Sequence, residues 1–344
     1  MPRVHCPSYS GGNAGGYLVP IRNYVPTRGG RGWDRMTEPN DGSHPRAKNA
    51  PAYFVHENCR LFRRHPEIYF TGRVHELVEH RLTALGHNVS RAGFFIHHFG
   101  QLVEQEVRAQ KAAAYLELLR LKVQEMPEDP LAWVQLGLQA YECSRDADEA
   151  LRCFNRAIRL EPQASEAWVF KGMILLDEGE CAEALKALES TAPTGPSRIL
   201  QTQLRADALH NLGRLTEARA AYIRALKLTQ DDPVILSKLG YTETKLGNPK
   251  QGVEKLKRAA RADPESAEIR DRFMKACIFI NCLPEAAEQA EELARIAPNP
   301  RAFLRAASIR VRLQQNEQAN SVLARGLRMF PTSADLKRAL SELA

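Results

Sequence analysis

The sequence predicts a mainly α fold, an α-solenoid of about six helix pairs plus a capping helix, preceded by a small, incomplete α/β head. Small residues recur at steps of 34 or 35 from residue 137 onward, a period typical of stacked helix pairs. Short aromatic and β-branched runs before residue 100 are typical of strands and predict the head. The two recurring series are Gly137, Gly172, Ala206, Gly240, Met274 and Ser308, and Ala157, Thr191, Ala225, Ala259, Leu293 and Leu327.

The motifs inside this period indicate the kind of repeat. Small residues in the first helix of a pair let the second helix cross close to the backbone. The pattern resembles tetratricopeptide repeats over residues 130–344, and the resemblance implies a right-handed superhelix whose first helices line the concave side. Residues 332–344 are expected to form a final helix that caps the stack. The two motifs are Trp133-x-x-Leu-Gly137 and Ala150-x3-Phe154-x2-Ala157-x4-Pro162.

The chain before the repeats is expected to have three segments. Residues 1–15 are predicted to be a disordered N-terminus, residues 16–100 a partial α/β head, and residues 101–129 a connecting helix. Residues 27–51 hold few apolar side chains and are predicted to be a long loop. The head elements alternate strand and helix patterns. The predicted strands are residues 17–25, interrupted by Pro20, then 60–63, 68–71 and 92–99, and the predicted helix is residues 76–85, ended by Gly86.

Charge and cysteine usage narrow the class of protein. Residues 1–100 carry 13 Lys or Arg against 7 Asp or Glu, with nine of the ten histidines, and the rest of the chain is nearly neutral. A basic head suits an anionic partner such as a diphosphate, and nothing requires nucleic acid. No apolar run is long enough for a membrane span or a secretory signal. Seven scattered cysteines without a Cys-x-x-Cys pair predict reduced thiols in a cytoplasmic protein.

Four motifs in the head carry a second resemblance. They are Gly16-Tyr-Leu-Val-Pro-Ile-Arg-Asn-Tyr24, Arg60-Leu-Phe-Arg63, Phe70-Thr-Gly-Arg-Val-His-Glu76 and Phe95-Ile-His-His98. In order and approximate spacing they resemble the C-terminal half of a family 2 glycosyltransferase domain. The resemblance covers residues 16–115 and points to a bacterial subgroup in which tetratricopeptide repeats follow that domain.

The resemblance implies inverting sugar transfer from a nucleotide-sugar donor, with a divalent metal, Mg or Mn, holding the diphosphate. The family's nucleotide-sugar half, with its Asp-x-Asp motif, would lie before Met1. We therefore expect catalysis only if that half is supplied. The alternative is a non-catalytic tetratricopeptide scaffold for protein–protein interaction.

Site residues in the head follow from the same resemblance. His75 is predicted to ligate the metal, Glu76 and Arg73 to be catalytic, and Arg60, Arg63 and His98 to bind the donor. The residues alone allow a structural alternative for each group. His75 and Glu76 could be a surface pair at the start of a helix. The arginines could lie on a solvated edge strand. Strand alternation requires His97 and His98 to point to opposite faces, so one is expected to pack inward.

Other motifs receive structural interpretations or define a groove. Asp146-Ala-Asp148 and Asp231-Asp232 are expected to start helices, and the single Arg-Gly-Gly-Arg-Gly unit at residues 28–32 is expected to be a flexible loop. The repeat register places mixed polar residues on the first helices, which predicts protein or peptide binding there. These residues are Gln203, Asp207, His210, Asn211, Ser237, Tyr241, Lys245, Asp271 and Lys275.

Overall fold

The structure is a computed structural model that describes residues 14–26, 37–70, 73, 74, 77–192, 195, 197–229 and 231–343. The chain divides into two compact units, Met1–Lys171 and Gly172–Ala344. No helix in these described ranges is both long and apolar enough to cross a membrane.

A mixed β-sheet forms the head within the first unit. Its longest strand, β1, lies antiparallel to β3 and parallel to both β4 and β5, while β2 pairs with the other side of β3. The predicted loop at residues 27–51 therefore contains a strand and, at Pro45–Ala47, a short 3-10 helix, while residues 27–36 lie outside the described residues. The strands are β1 (Ala14–Val25), β2 (Glu38–Pro39), β3 (Ala52–Phe62), β4 (Asn88–Arg91) and β5 (Ile96–His98).

The predicted strands differ from the observed ones, since β3 begins at Ala52 rather than at residue 60 and β5 is shorter than residues 92–99. β1 begins at Ala14 and runs through Pro20 without a break, because β4 pairs only as far as Leu18 and β5 begins its pairing at Ile21. Pro20 therefore falls where no strand needs its missing N–H on that side. Residues 68–70 form no strand, and the buried side chain of Ile68 instead joins the small core under the sheet.

One short helix, α1 (Glu79–Ala84), covers this part of the sheet. It ends before Gly86, whose φ of +73° confirms the predicted glycine stop. Close packing depends on Gly16 in β1. A Cβ there would lie 2.6 Å from Cδ1 of Leu82 and 2.8 Å from Sγ of Cys59. A larger residue at position 16 would therefore displace the buried side chains of Leu82 and Cys59.

Helices follow the head. The long helix α2 (Gln105–Glu125) packs against the first repeat helix through Leu116, Leu119 and Val123. In the described residues the predicted six pairs and final helix are confirmed. The pairs are α3 (Pro130–Ser144) with α4 (Ala147–Leu160), α5 (Ser165–Asp177) with α6 (Cys181–Glu189), α7 (Arg198–Asn211) with α8 (Leu215–Thr229), α9 (Pro233–Lys245) with α10 (Pro249–Ala262), α11 (Ala267–Phe279) with α12 (Leu283–Ile296), and α13 (Pro300–Arg312) with α14 (Asn316–Met329), before α15 (Ala334–Leu343).

The turn inside each pair uses one residue with left-handed backbone. Glycine fills this position in three pairs and a polar residue in the others. The predicted helix starts are also confirmed, because Asp146 accepts a hydrogen bond from the Glu149 N–H at 2.8 Å and Asp232 accepts one from Ile235 at 3.0 Å. The turn residues are Arg145, Gly179, Gly213, Gly247, Asn281 and Gln314.

Candidate functional site

The two residues at the centre of the predicted glycosyltransferase site, His75 and Glu76, lie outside the described residues. Their roles as metal ligand and catalytic residue stay predictions. Among the described residues, no group of three or more His, Cys, Asp or Glu side chains is arranged to hold a metal ion.

The predicted donor-binding arginines occupy separate environments. Arg60 is exposed at the end of β3, with its guanidinium carbon 5.6 Å from the centre of the Phe70 ring. The exposed Arg63 follows the strand, and its backbone N–H donates to the Gly15 carbonyl at 2.8 Å. These positions suit an exposed strand end, which was the alternative interpretation of the arginines.

Arg73 attaches the head to α2. Its Nε donates to Oε2 of Glu125 at 2.8 Å, and a second N–H donates to Oε1 of the same carboxylate. The pairing raises the pKa of Arg73 and lowers that of Glu125. Val74 beside it is buried in the core around α2. In the described part of the chain no hydrogen bond or ion pair joins Arg73 to the other predicted site residues.

His97 and His98 point to opposite faces of the sheet, as strand alternation requires. Nδ1 of His97 lies 2.8 Å from the Tyr24 hydroxyl, and the His97 ring is 4.3 Å from that of His44. Burial, followed by the neighbouring His44, lowers the pKa of His97. The exposed His98 places its Nδ1 2.8 Å from Oδ1 of the buried Asn23. Thus His98 is the more accessible of the two.

Sequence reasoning missed an arginine stacked in the head. Arg22 forms an ion pair with Asp41 at 2.9 Å. Its guanidinium carbon lies 4.0 Å from the centre of the Phe95 ring and 4.7 Å from that of Tyr53. Hydrogen bonds from Ser43, and then the pairing with Arg22, lower the pKa of Asp41 to about 2. No local pattern marks this cluster, because its members are far apart in sequence.

The second unit carries the other predicted site. We define the first-helix face as the side of α7, α9, α11 and α13 made by rows of residues that repeat every 34 positions. Ser237 is fully buried, whereas the other predicted groove residues are exposed or half-buried. The rows are Gln203, Ser237, Asp271 and Arg305; Asp207, Tyr241 and Lys275; and Asn211, Lys245 and Phe279.

Side-chain bridges join each of these first helices to the next. Nζ of Lys238 in α9 lies 2.7 Å from Oδ2 of Asp207 in α7. Arg272 in α11 donates to Oγ of Ser237 in α9 at 2.6 Å. Arg305 in α13 donates to Oδ1 of Asp271 in α11 at 3.0 Å. The series fixes the spacing of the four helices. Sequence reasoning named the acceptors and missed the three donors.

Burial shifts the pKa of two side chains near the contact between α7 and α9, Tyr222 and His210. Asp207 also accepts a hydrogen bond from the hydroxyl of Tyr222 at 2.7 Å, and burial raises the pKa of Tyr222 well above its ordinary value. Burial, followed by Lys245, lowers the pKa of His210 to about 4. The Thr242 hydroxyl donates to the Lys238 carbonyl, so Nδ1 of His210, 2.9 Å away, donates to Thr242. His210 is therefore neutral near pH 7.

The last turns of α7, α9 and α11 carry exposed side chains that are not held by bridges to a neighbouring helix within the described ranges. Asn211 and Lys245 are exposed, and Phe279 is 58% exposed. Nζ of Lys245 lies 5.1 Å from the centre of the Tyr241 ring, and no acidic partner for it exists among the described residues. An exposed aromatic ring, a cation and an amide at the same repeat position of three first helices can supply apolar, ionic and hydrogen-bonding contacts to a partner.

Comparison with known proteins supports the repeat assignment. Residues 139–199 match a tetratricopeptide repeat family model, and residues 206–247 match a second TPR repeat model. The chain is 30% identical over 120 residues to the Protein CTR9 homolog of Arabidopsis thaliana, covering 35% of this chain and 11% of the relative. It is 23% identical over 197 residues to Anaphase-promoting complex subunit 3 of Schizosaccharomyces pombe, covering 55% and 28% respectively. The chain thus spans under a third of the length of either relative.

Solved structures show the same fold. The APC/C hetero-tetramer Cut9–Hcn1 matches with a TM-score of 0.52 at 17% identity, over 70% of this chain and 47% of that one. A tetratricopeptide repeat protein from Parabacteroides merdae matches with a TM-score of 0.52 at 14% identity, over 69% and 94%. The C-terminal region is therefore a solenoid of tetratricopeptide repeats, preceded by a small mixed β-sheet region.

Proposed function

We propose that this chain is a protein-binding scaffold whose first-helix face holds an extended segment of a partner protein. The observation that carries the proposal is the series of bridges between α7, α9, α11 and α13. Because Asp207, Asp271 and Ser237 are occupied by neighbouring helices, the face is fixed before a partner arrives. A preorganised surface loses little conformational entropy on binding.

The exposed groups indicate what the partner segment supplies. Phe279 offers an apolar anchor, and Lys245 attracts an acidic side chain or a backbone carbonyl. Asn211 can pair with the backbone of an extended segment. A name such as Anaphase-promoting complex subunit 3 places one similar protein in an assembly, which agrees with a scaffold role here.

Sugar transfer is the finer hypothesis for the head, and no observation favours it over the scaffold. It rests on the resemblance of residues 16–115 to the glycosyltransferase domain, and the two matched repeat models lie outside that range. Two of the residues predicted for this site already have partners within the chain. Arg73 forms an ion pair with Glu125, and His98 forms a hydrogen bond with Asn23.

The test is a selection of 12-residue peptides from a displayed random library against the full chain. The enriched peptides are then titrated against a Lys245→Ala, Phe279→Ala double variant. We expect at least a tenfold loss of affinity, because the cation and the aromatic anchor disappear together.

A matched control is Lys337→Ala with Met329→Ala, which also removes an exposed cation and an exposed apolar side chain. The control should bind the peptides as the natural chain does. A library that yields no peptide sensitive to Lys245 and Phe279 contradicts the proposed role of the first-helix face.

A further inference from the structure

The second helix of the second pair is much shorter than its counterparts. Helix α6 has 9 residues, whereas α4, α10, α12 and α14 have 14 and α8 has 15. Five missing residues correspond to about 7 Å of helix. The sequence gives the cause, since Pro193 follows soon after Glu189 and a proline excludes continued helix at that point.

A cavity of about 630 Å³ lies beyond the end of α6, bordered by α7 and α8. Two of its lining residues are polar where the following repeat has leucine. Thr202 and Arg205 line it, whereas the residues one repeat later, Leu236 and Leu239, are buried. One and two repeats earlier the position of Thr202 is tryptophan, at Trp168 and Trp133. Both the shortened helix and the small Thr202 side chain therefore leave space.

Gln201 lines the cavity, and its side-chain amide oxygen has no hydrogen-bond partner among the described residues. Gln201 is 2% exposed, and its Nε2 donates to the carbonyls of Leu188 at 2.8 Å and Thr191 at 2.9 Å. Its Oε1 is buried without a partner. Buried acceptors are rarely left unpaired, so an unsatisfied polar atom lies in the wall of this cavity.

The rim of the cavity is cationic. Arg205 is neutralised by Glu189 at 2.7 Å. Arg198, Arg224 and Lys227 also line the cavity, are exposed, and have no acidic partner in the described part of the chain. Residues 193, 194 and 196 lie outside that part. Three exposed cations around one cavity favour a ligand with several negative charges.

We propose that this cavity binds an acidic peptide segment, with its carboxylates on Arg198, Arg224 and Lys227. An acidic peptide carries several carboxylates along one chain, so it can pair with separate cations around the cavity. The site is separate from the first-helix face, so it gives the chain a second place to hold a protein.

The probe is fluorescein-labelled acetyl-decaglutamate, titrated against the full chain by fluorescence anisotropy. Arg224→Glu with Lys227→Glu should weaken binding at least tenfold. The control, Arg328→Glu with Lys337→Glu, makes the same change in net charge at exposed positions elsewhere and should stay within twofold. Equal losses in both variants overturn the proposal, because binding would then follow net charge alone. No measurable binding to the natural chain overturns it as well.

A filling variant tests the cavity itself. Thr202→Trp restores the residue found one repeat earlier, so the thermal midpoint should be kept or raised while affinity for decaglutamate falls at least tenfold. A folded Thr202→Trp chain that binds like the natural one overturns the proposal.

Two further titrations separate this site from its alternatives. In the first, sodium sulfate and sodium chloride of equal ionic strength compete with the labelled peptide. If sulfate displaces the peptide far better than chloride, the cavity is a small-anion site and the peptide assignment is overturned. The Lys245→Ala, Phe279→Ala variant should bind decaglutamate normally, which keeps this result independent of the first-helix face.

Discussion

The head and the repeats differ in how far apart in sequence their contacting residues lie. The bridges between first helices join residues 31 to 35 positions apart, as in Asp207 with Lys238 or Ser237 with Arg272. In the head, Arg73 meets Glu125 across 52 positions, and His98 meets Asn23 across 75. In the repeats one period sets the contacts between successive first helices, whereas the head depends on the pairing of distant strands.

This difference predicts how far the destabilising effect of a buried substitution extends through the fold. Tyr24→Ala, in the head, removes a fully buried ring that stacks on Phe99 at 5.3 Å, and should lower the free energy of unfolding by about 4 kcal/mol. Leu256→Ala in α10 removes a side chain equally buried in the repeats.

Amide hydrogen exchange, measured beside chemical denaturation, distinguishes the two variants. Tyr24→Ala should speed exchange throughout β1, β3 and β5, whereas Leu256→Ala should speed it mainly in α9 to α11. Equal acceleration over the whole chain in both variants would break the comparison.

The comparison also explains what could be predicted from the sequence. The register of Gly137 and Ala157 located six helix pairs, because close helix crossings demand small residues at fixed intervals. It did not reveal the length of α6, since the repeat series continues through Thr191 although the helix ends at Glu189. The repeat period predicts which positions are equivalent, but it does not predict whether the backbone between them is helical.

In the head, local pattern failed where pairing overrode it. Residues 68–71 have strand-forming side chains, yet Ile68 is used to fill the core beside α1. The cluster of Arg22 with Asp41 and Phe95 depends on three separate segments meeting. Ser237 belongs to the predicted groove residues, yet it is buried because Arg272 of the next first helix donates to its hydroxyl.

The next largest effect is expected at the bridge between α7 and α9. Asp207→Ala leaves Lys238, whose side chain is 9% exposed, without its carboxylate, and should cost about 3 kcal/mol of unfolding free energy. Adding Lys238→Met removes the isolated charge and should recover a large part of that loss in urea denaturation. A double variant no more stable than Asp207→Ala means that the carboxylate acts mainly through Tyr222.

Acid should weaken the repeats through His210. The pKa of His210 is about 4 in the folded chain, below its ordinary 6.5, so the unfolded chain takes up a proton first as pH falls. Stability from this group is complete above pH 6.5 and declines toward pH 4, by about 2 kcal/mol after allowance for partial exposure. Lys245, Lys238 and Arg272 oppose the imidazolium, while Asp207 favours it.

Urea denaturation at pH 7 and pH 4 tests this dependence. His210→Leu should show a smaller loss between the two pH values than the natural chain, by about 2 kcal/mol. Replacing the exposed His65 by glutamine serves as the control and should leave the loss unchanged. An unchanged pH dependence in His210→Leu places the acid sensitivity in other groups.

The smallest effect is expected at His98, where the head has a polar contact across its sheet. His98→Ala removes one hydrogen bond to Asn23 from an exposed side, where water can replace the imidazole, so the loss should be about 1 kcal/mol. A double-mutant cycle with Asn23→Ala measures the coupling, because Asn23 also contacts His56 and the Ile21 carbonyl. A coupling near 1 kcal/mol makes His98 a residue that orients Asn23. A coupling near zero leaves the imidazole uncommitted to the sheet, and then the predicted role of His98 in holding a donor group becomes the better use of an exposed histidine at this edge.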